Sequence, residues 1–232
     1  MGLVAVEPSM SVADLGCGTG ELTTQLHRAL NAKSTLGLDS SDEMLQRAAA
    51  LLSNPGTDAG LKFSKGEIEK FKPKEKFDLV ISNAALQWCN DHETVFKKIR
   101  SCLTTRGQIA IQMPMNQDYP THTVAREMAS EIAPDFTIQD SMLSLGEYAS
   151  LLYRLGFKEQ NAFVKVYGHE LESRDGVIEW VKGSTLTSFK RRLTPKKYES
   201  FLKEYERRLF SEIKDERPFF YPFKRIFLWA RL

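Results

Sequence analysis

Three glycines alternate in the segment VADLGCGTG (residues 12–20), at Gly16, Gly18 and Gly20. Such a loop lets a bulky ligand press against the backbone, because glycine has no Cβ and adopts positive φ at little cost. The spacing is GxGxG, whereas dinucleotide sites use GxGxxG. Asp14, two residues before the first glycine, would repel a pyrophosphate but attract a cation. The pattern favours S-adenosylmethionine (SAM), whose methionine end carries an ammonium and a sulfonium, over an ordinary strand-to-helix turn.

A second acidic residue follows at a spacing that suits a ribose. Asp39 ends the short apolar run TLGLD, and a similar distance from the glycine loop serves the ribose in dinucleotide folds. Its carboxylate would accept both ribose hydroxyls, with Ser40 beside it. Met44, in the first turn of the next predicted helix, either touches the adenine or is a packing residue. Cys17, inside the glycine loop, is assigned to the same site as a small packing residue rather than a nucleophile.

Two further loops would complete the cofactor site. Glu67 and Ile68 follow a third apolar run, where Glu67 can accept the adenine amino group and Ile68 can pack on the ring. Asn83 follows the run FDLVIS and offers oxygens to the methionine ammonium. Gln87 and Trp88 would then lie beside the sulfonium as positioning residues, because an aromatic face attracts a nearby cation. Trp88 could equally be a core tryptophan.

These loops need a scaffold in which strands and helices alternate. Apolar runs predict strands at residues 11–15, 34–38, 61–65, 77–82, 108–113, 161–167 and 225–231. Amphipathic stretches predict helices at residues 21–30, 43–52, 93–103, 124–132, 145–155, 175–182 and 195–212. Alternation of this kind implies an α/β fold, with a doubly wound, mostly parallel, Rossmann-like sheet of seven strands.

Two segments are extra to such a sheet. The chain is expected to form one domain over residues 1–232, with helical insertions at about 117–143 and 173–221. We expect these insertions to fold over the carboxyl edge of the sheet as a lid, since ligands of open α/β sheets bind at that edge. Loop signals fall at residues 53–60 and 71–76.

The composition is that of a globular, soluble enzyme. The 232 residues are 42% hydrophobic and 27% charged, which is ordinary for a globular protein. No apolar run reaches the roughly 20 residues that cross a bilayer, and the start does not resemble a signal peptide. The three cysteines, at positions 17, 89 and 102, have no metal-ligand spacing. We therefore expect reduced thiols, no metal, no membrane partner and a cytoplasmic location.

The net charge of +2 conceals an asymmetry. From Lys182 to the end, 14 Lys and Arg stand against 6 Asp and Glu, so the part before it is acidic. Such a split indicates that the basic part faces an anion, either a small polycarboxylate or a nucleic-acid backbone. The alternative is a solvated helix, because charged and apolar residues interleave at helical spacing over residues 190–208.

The motifs together resemble those of the class I SAM-dependent methyltransferases, and among them the trans-aconitate 2-methyltransferase family. The resemblance covers nearly the whole chain through VADLGCGTG, LGLDSSDEML, FDLVISNAALQWCNDH, QMPMNQDYPTHTVAREMA, WVKGSTL and PFKRIFLWAR. It implies methyl transfer from SAM to one carboxylate of a small polycarboxylic acid such as trans-aconitate, giving a monomethyl ester and S-adenosylhomocysteine. It also implies an N-terminal helix that closes over the cofactor, whereas only about ten residues precede the first predicted strand.

The same resemblance assigns the acid to Asn116, His122, Arg126 and Arg225. A carboxylate is already ionised at pH 7, so no catalytic base is expected and positioning supplies the rate. Cations and donors would hold the carboxylates that are not methylated, and arginine can grip a carboxylate through two hydrogen bonds. Alternatively, His122 caps the helix that follows it, and Arg126 forms a surface ion pair.

Other functions remain open at this point. Malonyl-carrier-protein O-methyltransferases have a similar LQWC stretch, and the basic tail could dock an acidic carrier protein. Nucleic-acid amino-methyltransferases usually carry Asn/Asp-Pro-Pro-aromatic where this chain has NAAL (residues 83–86), so no nucleic-acid partner is expected. A truncated, non-catalytic homologue would bind SAM without turnover. The preferred interpretation is an enzyme that acts as a monomer or weak dimer on a small anionic carboxylate.

Overall fold

The computed structural model describes residues 3–52, 58–133, 135–136 and 141–232. Strands in these residues form a seven-stranded sheet in the order β3-β2-β1-β4-β5-β7-β6. The strands are β1 (Ser11–Leu15), β2 (Ser34–Asp39), β3 (Leu61–Lys65), β4 (Phe77–Asn83), β5 (Leu103–Pro114), β6 (Glu159–Leu171) and β7 (Phe219–Arg231). The pairs β1–β2, β2–β3, β1–β4 and β4–β5 are parallel. The predicted doubly wound, mostly parallel α/β sheet is therefore confirmed.

Helices connect the strands and begin where side chains can cap them. The helices in the described residues are α1 (Glu21–Leu30), α2 (Asp42–Ala50), α3 (His92–Ser101), α4 (Pro120–Ile132), α5 (Leu145–Arg154), α6 (Asp175–Lys182), α7 (Thr187–Arg192) and α8 (Pro195–Glu212). Ser41 caps α2 by accepting the N–H of Met44 at 3.3 Å. Ser144 and Glu147 form a capping box at α5, which satisfies two of the unpaired N–H groups at that helix end.

Three strands differ from their predicted bounds by more than two residues in total, whereas β2 and β4 are each one residue longer than predicted. β5 begins at Leu103 rather than residue 108, with a register irregularity opposite Phe77. β6 extends two residues earlier and four later than predicted, and β7 begins at Phe219 rather than residue 225. Pro222 lies inside β7, and because proline usually interrupts a strand the sequence favoured a later start.

Helix α7 was not predicted. It has six residues, which is too short to show a helical hydrophobic period. Helix α4 begins at Pro120, four residues before the predicted start, and proline suits the first position of a helix. The predicted loop at 71–76 contains no helix or strand, whereas residues 53–57 of the other predicted loop lie outside the described part.

The chain divides into two compact units. The first comprises Met1–Pro114, Ser141–Val164 and Ile226–Leu232 and holds β1 to β5 with α1, α2, α3 and α5. Its central strand β1 is buried at four successive residues, as expected of a parallel strand with both faces covered. The glycine loop, which follows β1 directly, is therefore anchored to a rigid, buried strand.

The second unit comprises Met115–Asp140 and Lys165–Arg225. It contains α4, α6, α7 and α8, so it includes most of both predicted insertions, and its own core is rich in aromatic residues. The rings of Phe189 and Phe201 stack with centroids 4.1 Å apart. A lid over the sheet edge stays a prediction. Within the described residues, no helix is long and apolar enough to span a membrane.

Candidate functional site

A cavity of about 620 Å³ opens in the first unit, where the carboxyl ends of β1, β2, β3 and β4 meet their loops. Its size suits a small-molecule ligand. Ten residues predicted for the cofactor site lie on its wall, namely Asp14, Gly16, Cys17, Gly18, Asp39, Ser40, Glu67, Ile68, Asn83 and Trp88. The structure therefore brings together residues that are up to 74 positions apart in the sequence.

The three glycines have different roles in the loop, although each has positive φ. A Cβ on Gly16 would lie 2.1 Å from the Cβ of Ala85, and one on Gly20 would lie 2.6 Å from the ring of Phe63. A Cβ on Gly18 would meet nothing within 4 Å. Gly16 and Gly20 are thus required by close packing, whereas Gly18, which lines the cavity, has open space around it.

The Asp39 carboxylate is held by two backbone amides. Gly18 N–H donates to Oδ2 and Ser41 N–H donates to Oδ1, each at 2.9 Å. A carboxylate has about four acceptor positions, so both oxygens can still accept further donors from the cavity. Two adjacent ribose hydroxyls are donors of the required kind.

Asp14 is buried beneath the glycine loop. Its side chain accepts a 2.5 Å hydrogen bond from the Thr23 hydroxyl. Burial raises the pKa of Asp14 to about 6, the Asp39 charge adds to the rise, and the Thr23 hydrogen bond opposes it. A carboxylate of this kind favours a cationic ligand, which would compensate the buried negative charge.

The cavity wall is acidic. Asp14, Glu21, Asp39, Glu67 and Glu69 contribute to it, and none of the described residues that line it is a lysine or arginine. A ligand with a cationic group is therefore favoured over an anionic one. This charge pattern supports the assignment of SAM that the glycine spacing predicted.

The cysteines of the site are not nucleophiles. Burial raises the pKa of Cys17 to about 12, with the charges of Asp14 and Asp39 adding to the rise. Burial likewise raises the pKa of Cys89 to about 11. Since the thiolate is the reactive form, both residues are protonated and inert at neutral pH.

Trp88 lies at the cavity wall with 70% of its surface exposed. The alternative of a core tryptophan is therefore wrong. Trp88 lies in the short 3₁₀ helix Leu86–Trp88, between the buried residues Leu86 and Cys89. An exposed indole beside an acidic cavity is available to a cation.

Three predicted residues do not line the cavity: Gly20, Met44 and Gln87. Met44 does lie in the first turn of α2, and its contact with the adenine stays a prediction. The prediction missed wall residues such as Leu22 and Ala85, which flank the motif residues in the same loops. Leu22 has 59% of its surface exposed on α1, and its place right after the glycine loop was the signal available in the sequence.

The four residues predicted to bind the acid all belong to the second unit. Asn116 is buried and already occupied: its Oδ1 accepts the Lys224 N–H at 2.7 Å, and its Nδ2 donates to the Tyr221 hydroxyl at 3.4 Å. Arg126 donates to the carbonyl of Gln117 at 2.7 Å. Asn116 thus joins the segment before α4 to β7, and Arg126 joins α4 to the same segment.

His122 is uncharged at neutral pH. Burial lowers its pKa to about 4, and the Arg126 charge adds to the effect while Asp118 opposes it. Its Nδ1 lies 3.0 Å from the Thr121 hydroxyl oxygen, and its Nε2 lies 3.1 Å from the Thr185 hydroxyl oxygen. The N-cap of α4 is Tyr119, so the alternative that His122 is the N-cap is wrong.

Arg225 is half-buried between aromatic rings. Its guanidinium carbon lies 5.1 Å from the Phe223 ring centroid and 5.7 Å from that of Tyr167. Contacts at these distances are cation–π interactions and restrict the orientation of the guanidinium. A planar cation held in this way is suited to a carboxylate.

Known proteins share these features. Residues 7–160 match the family described as "Methyltransferase domain". Trans-aconitate 2-methyltransferase of Deinococcus radiodurans is 36% identical, covering 98% of this chain and 89% of that protein. Its namesake from Escherichia coli is 31% identical, covering 98% and 88%. This chain belongs to the class I SAM-dependent methyltransferases. A solved SAM-dependent methyltransferase from Mesorhizobium loti shares the fold, with a TM-score of 0.56 and 19% identity over 100% of this chain and 94% of that one.

The residues of this methyltransferase fit its cofactor. The open space at Gly18 admits the ligand, the anchored Asp39 carboxylate presents acceptors, and the acidic wall suits a sulfonium and an ammonium. Among the described residues, no group of three or more His, Cys, Asp or Glu is arranged to hold a metal ion.

Proposed function

We propose that this methyltransferase transfers the methyl group of SAM to one carboxylate of a small polycarboxylic acid such as trans-aconitate. The products would be a monomethyl ester and S-adenosylhomocysteine. The observation that carries the proposal is the likeness, at 36% and 31% identity over nearly the whole chain, to two proteins named trans-aconitate 2-methyltransferase.

The first unit would hold the cofactor. Asp39 would accept the ribose hydroxyls, and Ile68 would pack on the adenine. Asp14 and Asn83, on the cavity wall, would attract the methionine ammonium, and the exposed face of Trp88 would stabilise positive charge near it. When bound, SAM supplies a methyl group activated by its sulfonium.

The second unit would hold the acid. Arg225 is oriented by the Phe223 and Tyr167 rings. We propose that its guanidinium forms the main ion pair with a carboxylate that is not methylated. Arg126 would add a second positive charge. His122, uncharged at neutral pH, would contribute hydrogen bonding alone, and Asn116 would keep the Lys224 backbone in place next to Arg225.

The chemistry needs no base from the protein. The acid's carboxylate is ionised at neutral pH and its oxygen can attack the methyl carbon directly. The reaction combines an anion with a cation, so a site that excludes water favours it. The protonated thiols of Cys17 and Cys89 do not compete as methyl acceptors.

The test is the release of S-adenosylhomocysteine by the purified protein in the presence of SAM. The acceptors are trans-aconitate, its saturated analogue, other di- and tricarboxylic acids, and a malonylated carrier protein. The proposal expects turnover with a free polycarboxylic acid and little with the carrier. Turnover with the carrier alone would replace the proposed acceptor, and SAM binding without turnover on any of them would contradict the proposal.

A further inference from the structure

The loop after β4 contains a strained alanine. Ala84 has a φ of +54°, a left-handed conformation that disfavours any residue with a Cβ. Glycine would adopt it at little cost, but the chain has alanine at this position. Such a conformation persists only where surrounding contacts hold it.

The turn at Ala84 shapes the cofactor cavity. It brings Ala85 so close to the glycine loop that a Cβ on Gly16 would lie 2.1 Å from the Ala85 Cβ. Asn83, Ala84, Ala85 and Trp88 all lie on the cavity wall. If Ala84 relaxed to negative φ, the direction of the chain would change and these wall residues would move.

Two hydrogen bonds hold the strained turn from both sides. The N–H of Ala84 donates to the backbone carbonyl of Gln112 on β5 at 2.9 Å. The carbonyl of Ala84 accepts the side-chain Nε2 of Gln87 at 2.7 Å. The first bond joins the loop backbone to β5, whereas the second depends on a single side chain.

The other end of the Gln87 amide is unsatisfied. Its Oε1 is buried and has no hydrogen-bond partner among the described residues. A buried acceptor without a donor destabilises the folded state, so an apolar residue of similar size would remove that cost. The stability of the folded state therefore does not explain why an amide occupies this position. Its Nε2, however, donates to the carbonyl of the strained residue Ala84.

We propose that Gln87 is a positioning residue that holds Ala84 in its left-handed turn and thereby sets the SAM-binding wall formed by Asn83, Ala85 and Trp88. Gln87 itself does not line the cavity, so it acts on the cofactor through the loop rather than by contact. This role replaces the predicted place of Gln87 beside the sulfonium. It does not depend on which acid accepts the methyl group.

The test is a double-mutant cycle between Gln87→Met and Ala84→Gly, with the dissociation constant for SAM measured by calorimetry and the melting temperature measured alongside. Gln87→Met should weaken SAM binding about five- to thirtyfold, the range expected for releasing one strained residue, with little change in melting temperature. In the Ala84→Gly background the same substitution should weaken SAM binding by less than about threefold, because glycine adopts the left-handed conformation at little cost.

Two further variants keep the test decisive. Gln160→Met makes the same chemical change at an exposed position on β6 and should leave SAM affinity unchanged. Ala84→Val acts on the turn without altering Gln87 and should also weaken SAM binding, since a β-branched residue tolerates positive φ poorly. Unchanged affinity in Gln87→Met, an equal penalty in both backgrounds, or a large fall in melting temperature with unchanged affinity would each overturn the proposal.

Discussion

At the scale of single residues, two carboxylates in one cavity differ because their surroundings differ. Asp39 receives two backbone N–H donors at 2.9 Å, which fix the orientation of its carboxylate. Asp14 lies under the loop with one hydroxyl donor, and burial raises its pKa to about 6. Asp39 is therefore a fixed acceptor, whereas Asp14 responds to the charge of the ligand.

Asp39→Asn should weaken SAM binding by about 1.5–3 kcal/mol, the usual contribution of hydrogen bonds to a charged group. The substitution also places the side-chain NH₂ group opposite one of the two backbone N–H donors, those of Gly18 and Ser41. Two donors cannot form a hydrogen bond, so one of these contacts is lost. Calorimetric titration with SAM measures the change, and Asp42→Asn on the exposed start of α2 is the matched control. Equal affinities in the two variants would remove Asp39 from the ribose site.

Asp14 should make the ligand-free protein less stable as pH rises. Its folded pKa of about 6 exceeds the reference value of 3.8, so protonation favours the folded state. The destabilisation is absent below about pH 4 and complete above about pH 6, and two pKa units correspond to about 3 kcal/mol. Thermal unfolding between about pH 4 and pH 7 should show a shallower fall in stability for Asp14→Asn than for the unsubstituted protein, because the effect develops between the two pKa values. Parallel curves would contradict the burial argument.

At the scale of elements, the cavity is built from loops that follow parallel strands. Strand β1 leads into the glycine loop, and β4 leads into the turn at Ala84. The two loops meet where Ala85 fills the space that a Cβ on Gly16 would need. The contact between Gly16 and Ala85 thus requires a small residue on each loop. It lies two residues before Gly18, where the cavity has space for a ligand.

Gly16→Ala and Gly18→Ala should separate packing from ligand space. The first adds a 2.1 Å clash to the cost of a left-handed alanine, and should destabilise the protein by about 2–5 kcal/mol. The second meets no neighbour and should lower stability by only about 1–2 kcal/mol, while weakening SAM binding by filling the cavity side. Chemical denaturation and SAM titration measure both effects; similar stability losses in the two variants would refute the distinction.

The sequence predicted much of this architecture because its signals are local. Glycine spacing, the acidic residue that ends β2 and the run before Asn83 each identify a loop at the end of a strand. The strain at Ala84 could not be predicted, since alanine carries no signal for positive φ. The exposure of Trp88 depends on a single 3₁₀ turn, and the full length of β7 was obscured by Pro222.

At the scale of the whole molecule, acidic and basic residues are concentrated in different places. The cavity wall in the first unit is acidic, whereas the segment from Lys182 to the end has 14 Lys and Arg against 6 Asp and Glu. Part of that excess is neutralised locally: Arg208 pairs with Glu131 and Glu204, and Arg192 pairs with Asp135. These pairs support the interpretation of helix α8 as largely a solvated helix. Arg225 is the preferred candidate for an anion because the Phe223 and Tyr167 rings restrict the orientation of its guanidinium.

Arg225→Ala should therefore affect the two substrates unequally. The KM for the acid should rise at least tenfold, as expected when a hydrogen-bonded charged partner is lost, while the KM for SAM should change little. Steady-state kinetics with each substrate varied in turn measures the difference. Arg191→Ala removes an exposed arginine of the same unit and should change neither constant. Equal increases for both substrates with Arg225→Ala would exclude it from the acid site.

The central claim is that a carboxylate receives the methyl group, and the product of the reaction tests it most directly. The measurement is an NMR spectrum of trans-aconitate incubated with SAM and the purified protein, with the Asp39→Asn variant as control. We expect a new O-methyl ester resonance that grows in step with S-adenosylhomocysteine and is much slower to appear in the variant. Calorimetric binding of SAM with no ester formed, or methyl transfer to an atom other than a carboxylate oxygen, would contradict the account.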